Sequence, residues 1–141
     1  MKIYDLMSHS VSRVRPETSI KQIALLMRQE NVGAIPVCDD SGTVLGIITD
    51  RDLVIRAIPN CCETLSAMDI MSRNPITAFP QMNTHEAALL MAANQIRRLP
   101  VVENKKLVGF LSLSDIARRS LYIDEAGDAL SAISQTAPSG C

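Results

Sequence analysis

Apolar positions along the chain follow two rhythms. Ile20, Ile23, Ala24 and Met27 keep the three-and-four spacing of one helix face, and Thr84, Ala87, Ala88 and Met91 keep it again. Each segment predicts a helix. Short apolar runs follow each one: Ala34 to Cys38 and Val44 to Ile48, then Leu99 to Val102 and Leu107 to Leu111. Polar turns separate the runs, with Ser41-Gly42 in the first pair and Asn104 with two lysines in the second, which is the pattern of a hairpin. A second helix is predicted from Asp50 to about Ile58, and its counterpart from Leu113 to about Leu121. The stretches Arg13-Val14 and Ile76 to Phe79, each close before a proline, predict short leading strands. The order in each half is β-α-β-β-α.

The two halves are copies. Residues 5–37 align with residues 69–101 at a constant offset of 64, pairing Asp5-Leu6-Met7-Ser8 with Asp69-Ile70-Met71-Ser72 and Pro36-Val37 with Pro100-Val101. One residue is lost in the second hairpin turn, and beyond it the offset is 63: Gly46 pairs with Gly109, Thr49 with Ser112 and Asp52 with Asp115. A unit of about sixty residues is marginal alone, so the two copies are expected to share a core. The boundaries read as 1–60 for the first repeat, 61–67 for a linker, 68–121 for the second repeat, and 122–141 for a C-terminal helix and tail. The acidic stretch "LYIDEAGDALSAIS" predicts a weakly amphipathic helix suited to packing on a dimer partner.

Composition narrows the function classes. Hydrophobic residues are 47% of the chain but aromatics only 3%, so the core is aliphatic, and Met7, Met27, Met71 and Met91 read as core filler at matched positions. A net charge of −1 gives no global attraction to nucleic acid or to an anionic membrane. No apolar run approaches the ~18 residues of a membrane span, and a cytoplasmic location is expected. Cys38, Cys61, Cys62 and Cys141 lack paired zinc spacing and are expected to be reduced thiols. His9 and His85 have no partners at ligand spacing, and no metal site is expected.

The chemistry concentrates in "GIITDRDL" and its copy "GFLSLSDI". Thr49-x-x-Asp52 and Ser112-x-x-Asp115 open a helix after a strand, which fits a capping box, where the acidic side chain bonds back to the N–H of the cap residue. The same spacing also suits a nucleotide. A carboxylate accepts from a ribose diol, while a hydroxyl and first-turn amides donate to phosphate. From the residues alone both readings stand. No nucleophile with a placed base and no converging metal ligands are present, so an enzyme is not expected.

"GAIPV…GIITDRDL" and "RRLPV…GFLSLSD", in register and each after its helix, resemble a tandem pair of CBS (cystathionine β-synthase) domains, a Bateman module. The resemblance covers about residues 1–121. It implies an α+β fold of two CBS repeats packed through their small sheets with pseudo-two-fold symmetry, and homodimers formed through helical faces. It also implies an adenosine-containing ligand, AMP, ADP or ATP, bound between the repeats and signalling energy status to a separate effector protein. S-adenosylmethionine or NAD(H) as ligand, or a ligand-free interaction scaffold, are the alternatives.

In this family a pocket takes the leading strand and hPV strand of one repeat and the (T/S)xxD segment of the other. The resemblance therefore implies a first site of Thr49, Asp50, Arg51 and Asp52 with Ile76, Thr77, Arg97, Arg98 and Leu99. There Asp52 holds the ribose, the arginines clamp phosphate, and the apolar backbone near Ile76 and Leu99 flanks adenine. Arg97 and Arg98 stand where the first copy has Gly33 and Ala34, so the sites are unequal. A second, weaker site uses Ser12, Arg13, Val32, Gly33 and Ile35 with Ser112 and Asp115.

Overall fold

A computed structural model describes residues 1–60, 62–119 and 123–135. In the first copy, helix α1 (Ile20–Glu30) leads into strands β1 (Ala34–Cys38) and β2 (Val44–Thr49) and then a helical segment. That segment begins as α2 (Asp50–Asp52), loosens into a π-helical turn over Leu53–Ala57 and ends as a 3-10 turn over Ile58–Asn60. After α3 (Ala67–Ile70) and β3 (Ser72–Arg73), the second copy repeats the order with α4 (Thr84–Asn94), β4 (Arg98–Glu103), β5 (Lys106–Ser112) and α5 (Leu113–Ala117). The C-terminal helix α6 spans Ile123–Gln135.

Local chemistry explains the boundaries. The Ser19 hydroxyl accepts the Gln22 N–H at α1, and the Asn83 side chain accepts the His85 N–H at α4. Both helices stop on a left-handed residue, Asn31 (φ 55°) and Gln95 (φ 57°), at matched positions. On α1 the buried face is Ile20, Ile23 and Met27, while Ala24, expected on that face, is exposed. The leading strands shrink to single parallel bridges, Val14 to Val37 and Ala78 to Val101. Helix α5 ends at Ala117, and the expected continuation through residues 120–121 lies outside the described residues.

Strands β1 and β2 pair antiparallel with Ile35 opposite Ile48, and β3 joins the free edge of β2. Strands β4 and β5 form the matching hairpin. The chain divides into two compact units. Unit 2 holds Ser12–Pro75 with Asn104–Leu107, and its core is built on Ile23, Ile35, Val37, Ile48 and Ile70. Unit 1 holds Met1–Val11, Ile76–Glu103 and the described residues from Val108 onward, with Ile3, Met91, Leu99, Val101, Leu111 and Ile116 at its core.

The units do not follow the order of the copies along the sequence. The first residues of the chain belong to the fold of the second copy: Ile3 N–H donates to Met82 O at 2.9 Å, and Ser8 pairs with Phe110. The residues 64 further on belong to the fold of the first copy, with Ala67 N–H donating to Thr18 O at 2.9 Å and Ser72 pairing with Ile47. Each copy has thus given its opening segment to the other. Two glycines make room for the exchange. A β-carbon at Gly46 would lie 2.6 Å from Met71 Sδ, and one at Gly109 would lie 2.5 Å from Met7 Sδ.

Helix α6 packs on α4 and α5 of its own unit, burying Ala126 and Ala129. The small alanines let this face of α6 settle on its own chain. Residues 136–141 lie outside the described residues.

Candidate functional site

Both halves of the capping-box reading are present. In unit 2, Asp52 Oδ2 accepts the Thr49 N–H at 2.9 Å, and Thr49 Oγ1 accepts the Asp52 N–H at 3.3 Å. In unit 1, Asp115 Oδ2 accepts the Ser112 N–H at 2.8 Å, and Ser112 Oγ accepts the Asp115 N–H at 3.1 Å. Each carboxylate keeps its other oxygen facing a guanidinium one turn on: Arg56 at 3.7 Å from Asp52 Oδ1, and Arg118 at 3.4 Å from Asp115 Oδ1. One oxygen holds the helix start, and the second is left for an ion pair or a ligand.

The first-turn amides, which the sequence offered as phosphate donors, each have a partner within the chain. Asp50 N–H donates to Gly33 O at 2.9 Å, Arg51 N–H to Asp50 Oδ1 at 2.9 Å, and Asp52 N–H to Thr49. Every amide from 49 to 52 is already paired within unit 2.

Among the expected residues in unit 1, Ile76 and Thr77 are exposed beside the Ala78 bridge. Leu99 is not: its side chain is fully buried in the core. The expectation at this position concerns the backbone near Leu99, which a buried side chain leaves open. Ile35 is buried in unit 2 in the same way, while Val32 is exposed. Ser12 Oγ donates to Glu30 Oε1 at 3.0 Å. Arg13 lies near the hairpin turn, 3.3 Å from where a β-carbon on Gly42 would stand, and pulls down on the thiol of Cys38. Burial outweighs that pull and pushes the Cys38 thiol up.

Arg97 and Arg98 open β4, where the Arg97 carbonyl accepts the Leu113 N–H at 2.8 Å. Among the described residues neither guanidinium has an ion-pair partner. They line a cleft of about 520 Å³ in unit 1 together with Ser112, Ser114 and, from α6, Gly127 and Leu130. The part played by α6 was missed at the sequence level, although a lone Gly127 within a helical pattern was an available signal. Among the described residues no group of three or more His, Cys, Asp or Glu side chains is placed to hold a metal ion. No helix among them is long and apolar enough to cross a membrane.

The CBS domain family model matches the chain twice, over residues 3–58 and 67–122. The chain belongs to the CBS domain family. This CBS pair is 38% identical over 133 residues to the CBS domain-containing protein YhcV of Bacillus subtilis, covering 94% of each chain. Its fold is similar to that of CBSX2 from Arabidopsis thaliana, solved in complex with AMP, at a TM-score of 0.76 and 28% identity, covering 87% of this chain and 98% of that one. It is also similar to the CBS domain pair of protein MJ0100, solved with 5'-methylthioadenosine and S-adenosyl-L-methionine. There the TM-score is 0.77 at 28% identity, covering 84% of this chain and 98% of that one.

Proposed function

We propose that this CBS pair is a regulatory module that binds an adenine nucleotide, AMP, ADP or ATP, and signals its occupancy to a separate effector protein. The first site comprises Thr49, Asp50, Arg51 and Asp52 with Ile76, Thr77, Arg97, Arg98 and Leu99. Asp52 receives the ribose diol on its outer oxygen, exposed Ile76 lies against the base, and Arg97 and Arg98 bind phosphate. The observation that carries the reading is the arginine pair: two guanidiniums without ion-pair partners among the described residues, where the other copy has Gly33 and Ala34. The cleft they line takes in Ser112 of the second set and no residue from 49 to 52. The AMP held by CBSX2 supports the ligand class.

The second site, Ser12, Arg13, Val32, Gly33 and Ile35 with Ser112 and Asp115, is the weaker one. Ser12 is bonded to Glu30, and Arg13 is the one cation in the set. Exposed Leu25, Val54, Ile55 and Ile58 on the helices of unit 2 suit a homodimer contact. The module lies in the cytoplasm and acts by binding rather than by catalysis, through the different affinity of its ligand for two arrangements of the pair.

Calorimetric titration with AMP, ADP, ATP, S-adenosylmethionine and NADH tests the reading. Binding that strengthens with phosphate and weakens in Arg98→Ala is expected. The S-adenosyl-L-methionine bound by MJ0100 favours the competing reading, which predicts selective binding of that phosphate-free ligand with no dependence on Arg98. Absence of binding by every adenosyl ligand leaves an interaction scaffold.

A further inference from the structure

Gly127 has no packing reason to be a glycine. It sits inside α6, where glycine is among the poorest helix formers, and its φ is ordinary for any residue. Close approach often explains such a residue, but here nothing lies within 4 Å of where a β-carbon would stand. What Gly127 does border is the cleft of about 520 Å³ that Arg97 and Arg98 also line. The hydroxyls of Ser112 and Ser114, 2.8 Å apart, lie on its floor, and no carboxylate lines it among the described residues. The cleft is large enough for a small ligand, and its charge suits an oxyanion.

Helix α6 is held against this cleft by its own packing. Ala126 and Ala129, on either side of Gly127, are buried in the core of unit 1, and Leu130 extends the wall. A side chain at 127 would enter space that the fold otherwise keeps open. The missing side chain costs helix stability and returns clearance in the cleft that two guanidiniums line.

We propose that α6 is the wall of a phosphate-binding cleft in unit 1, kept open by Gly127, and that the phosphate chain of the nucleotide seats there. This rests on the nucleotide reading for the identity of the ligand, although the cleft itself is defined within unit 1. Because a ligand touching α6 favours its docked position, occupancy and α6 docking are reciprocally coupled. The C-terminal helix then reports the number of phosphates bound.

The test compares wild type with Gly127→Ala, Gly127→Leu and Gly127→Glu by calorimetric titration of ATP and adenosine, with circular dichroism to verify the fold. Alanine should leave ATP affinity within about twofold. Leucine, whose β-carbon meets nothing within 4 Å at this cleft-lining position, should weaken ATP at least tenfold and leave adenosine within about twofold. Glutamate, which adds a carboxylate to the cleft that the arginines line, should weaken ATP by a similar factor and serves if the leucine variant does not fold. Wild-type ATP affinity retained in the leucine and glutamate variants overturns the proposal while leaving the nucleotide reading intact. If wild type binds no nucleotide, that reading falls and inorganic tripolyphosphate becomes the probe. Tripolyphosphate binding that Gly127→Leu abolishes upholds the cleft, and no tripolyphosphate binding overturns it.

Discussion

Substituting alanine at Gly46 and at Gly109 probes the exchange of opening segments, and the two sites should respond unequally. At Gly46 the new β-carbon would meet Met71 Sδ at 2.6 Å and the Ser72 carbonyl oxygen at 2.7 Å. Ordinary contacts begin near ~3.5 Å, so the carbonyl is too close by about 0.8 Å. Ser72 is held in β3 by its pairing with Ile47, so its carbonyl retreats only if the β2–β3 ladder opens. Overpacking of this kind costs about 1–3 kcal/mol and each lost backbone bond about 1 kcal/mol more, which places Gly46→Ala near 3 kcal/mol. At Gly109 the close atoms are Met7 Sδ at 2.5 Å and Cε at 2.8 Å, with the Ser8 carbonyl further off at 3.0 Å. The end of a methionine can turn aside, so about 1–2 kcal/mol is expected there. Urea unfolding of both variants measures the difference. A double-mutant cycle sharpens it: Met7→Ala should recover part of the Gly109→Ala cost, whereas Met71→Ala should not rescue Gly46→Ala. Equal costs at the two glycines, or rescue by Met71→Ala, would refute the geometry.

Asp52→Ala and Asp115→Ala should each cost about 1 kcal/mol in urea unfolding through loss of the capping box. Nucleotide titration then separates them: Asp52→Ala should weaken binding at least tenfold and Asp115→Ala by less than threefold, and similar affinities in both variants would reduce Asp52 to a helix cap. Cys38 gives a pH signature. Its thiol is neutral when protonated and its pKa is raised in the fold by burial, so the folded state holds the proton longer than the unfolded one. Its contribution is intact below the ordinary thiol pKa of about 8.5 and is lost as pH rises past it. Thermal unfolding of wild type should therefore weaken above that pH more steeply than that of Cys38→Ala; parallel curves would contradict the shift.

Much of the fold was legible because hairpins and helix starts are local. The turn at Ser41-Gly42 and the caps at Thr49 and Ser112 act over four residues, and β1 begins and ends where the apolar run does. The exchange was not legible, since an offset of 64 shows which segments are alike and is silent on which copy each one packs against. Mid-strand Gly46 and Gly109 were the available signal, because glycine inside a strand often marks close backbone approach. The (T/S)xxD spacing marked the two capping boxes but not that the amides from 49 to 52 would all be paired internally. The π-helical turn after Asp52 was hidden by a sequence that keeps ordinary helical spacing.

The carbonyl of Met1 accepts two bonds from Thr84, from its N–H at 2.9 Å and its buried hydroxyl at 2.7 Å. Along the sequence this contact joins residues 83 positions apart. The core of unit 2 draws all its members from between Val14 and Met71 and can condense first, while Ile3 and Met7 wait for β4 and β5. Contacts so distant along the chain are slow to close. Loosening the Met1–Thr84 contact would therefore burden the late-forming unit and leave the early one untouched, so that a segment far away along the chain governs how fast unit 1 becomes native.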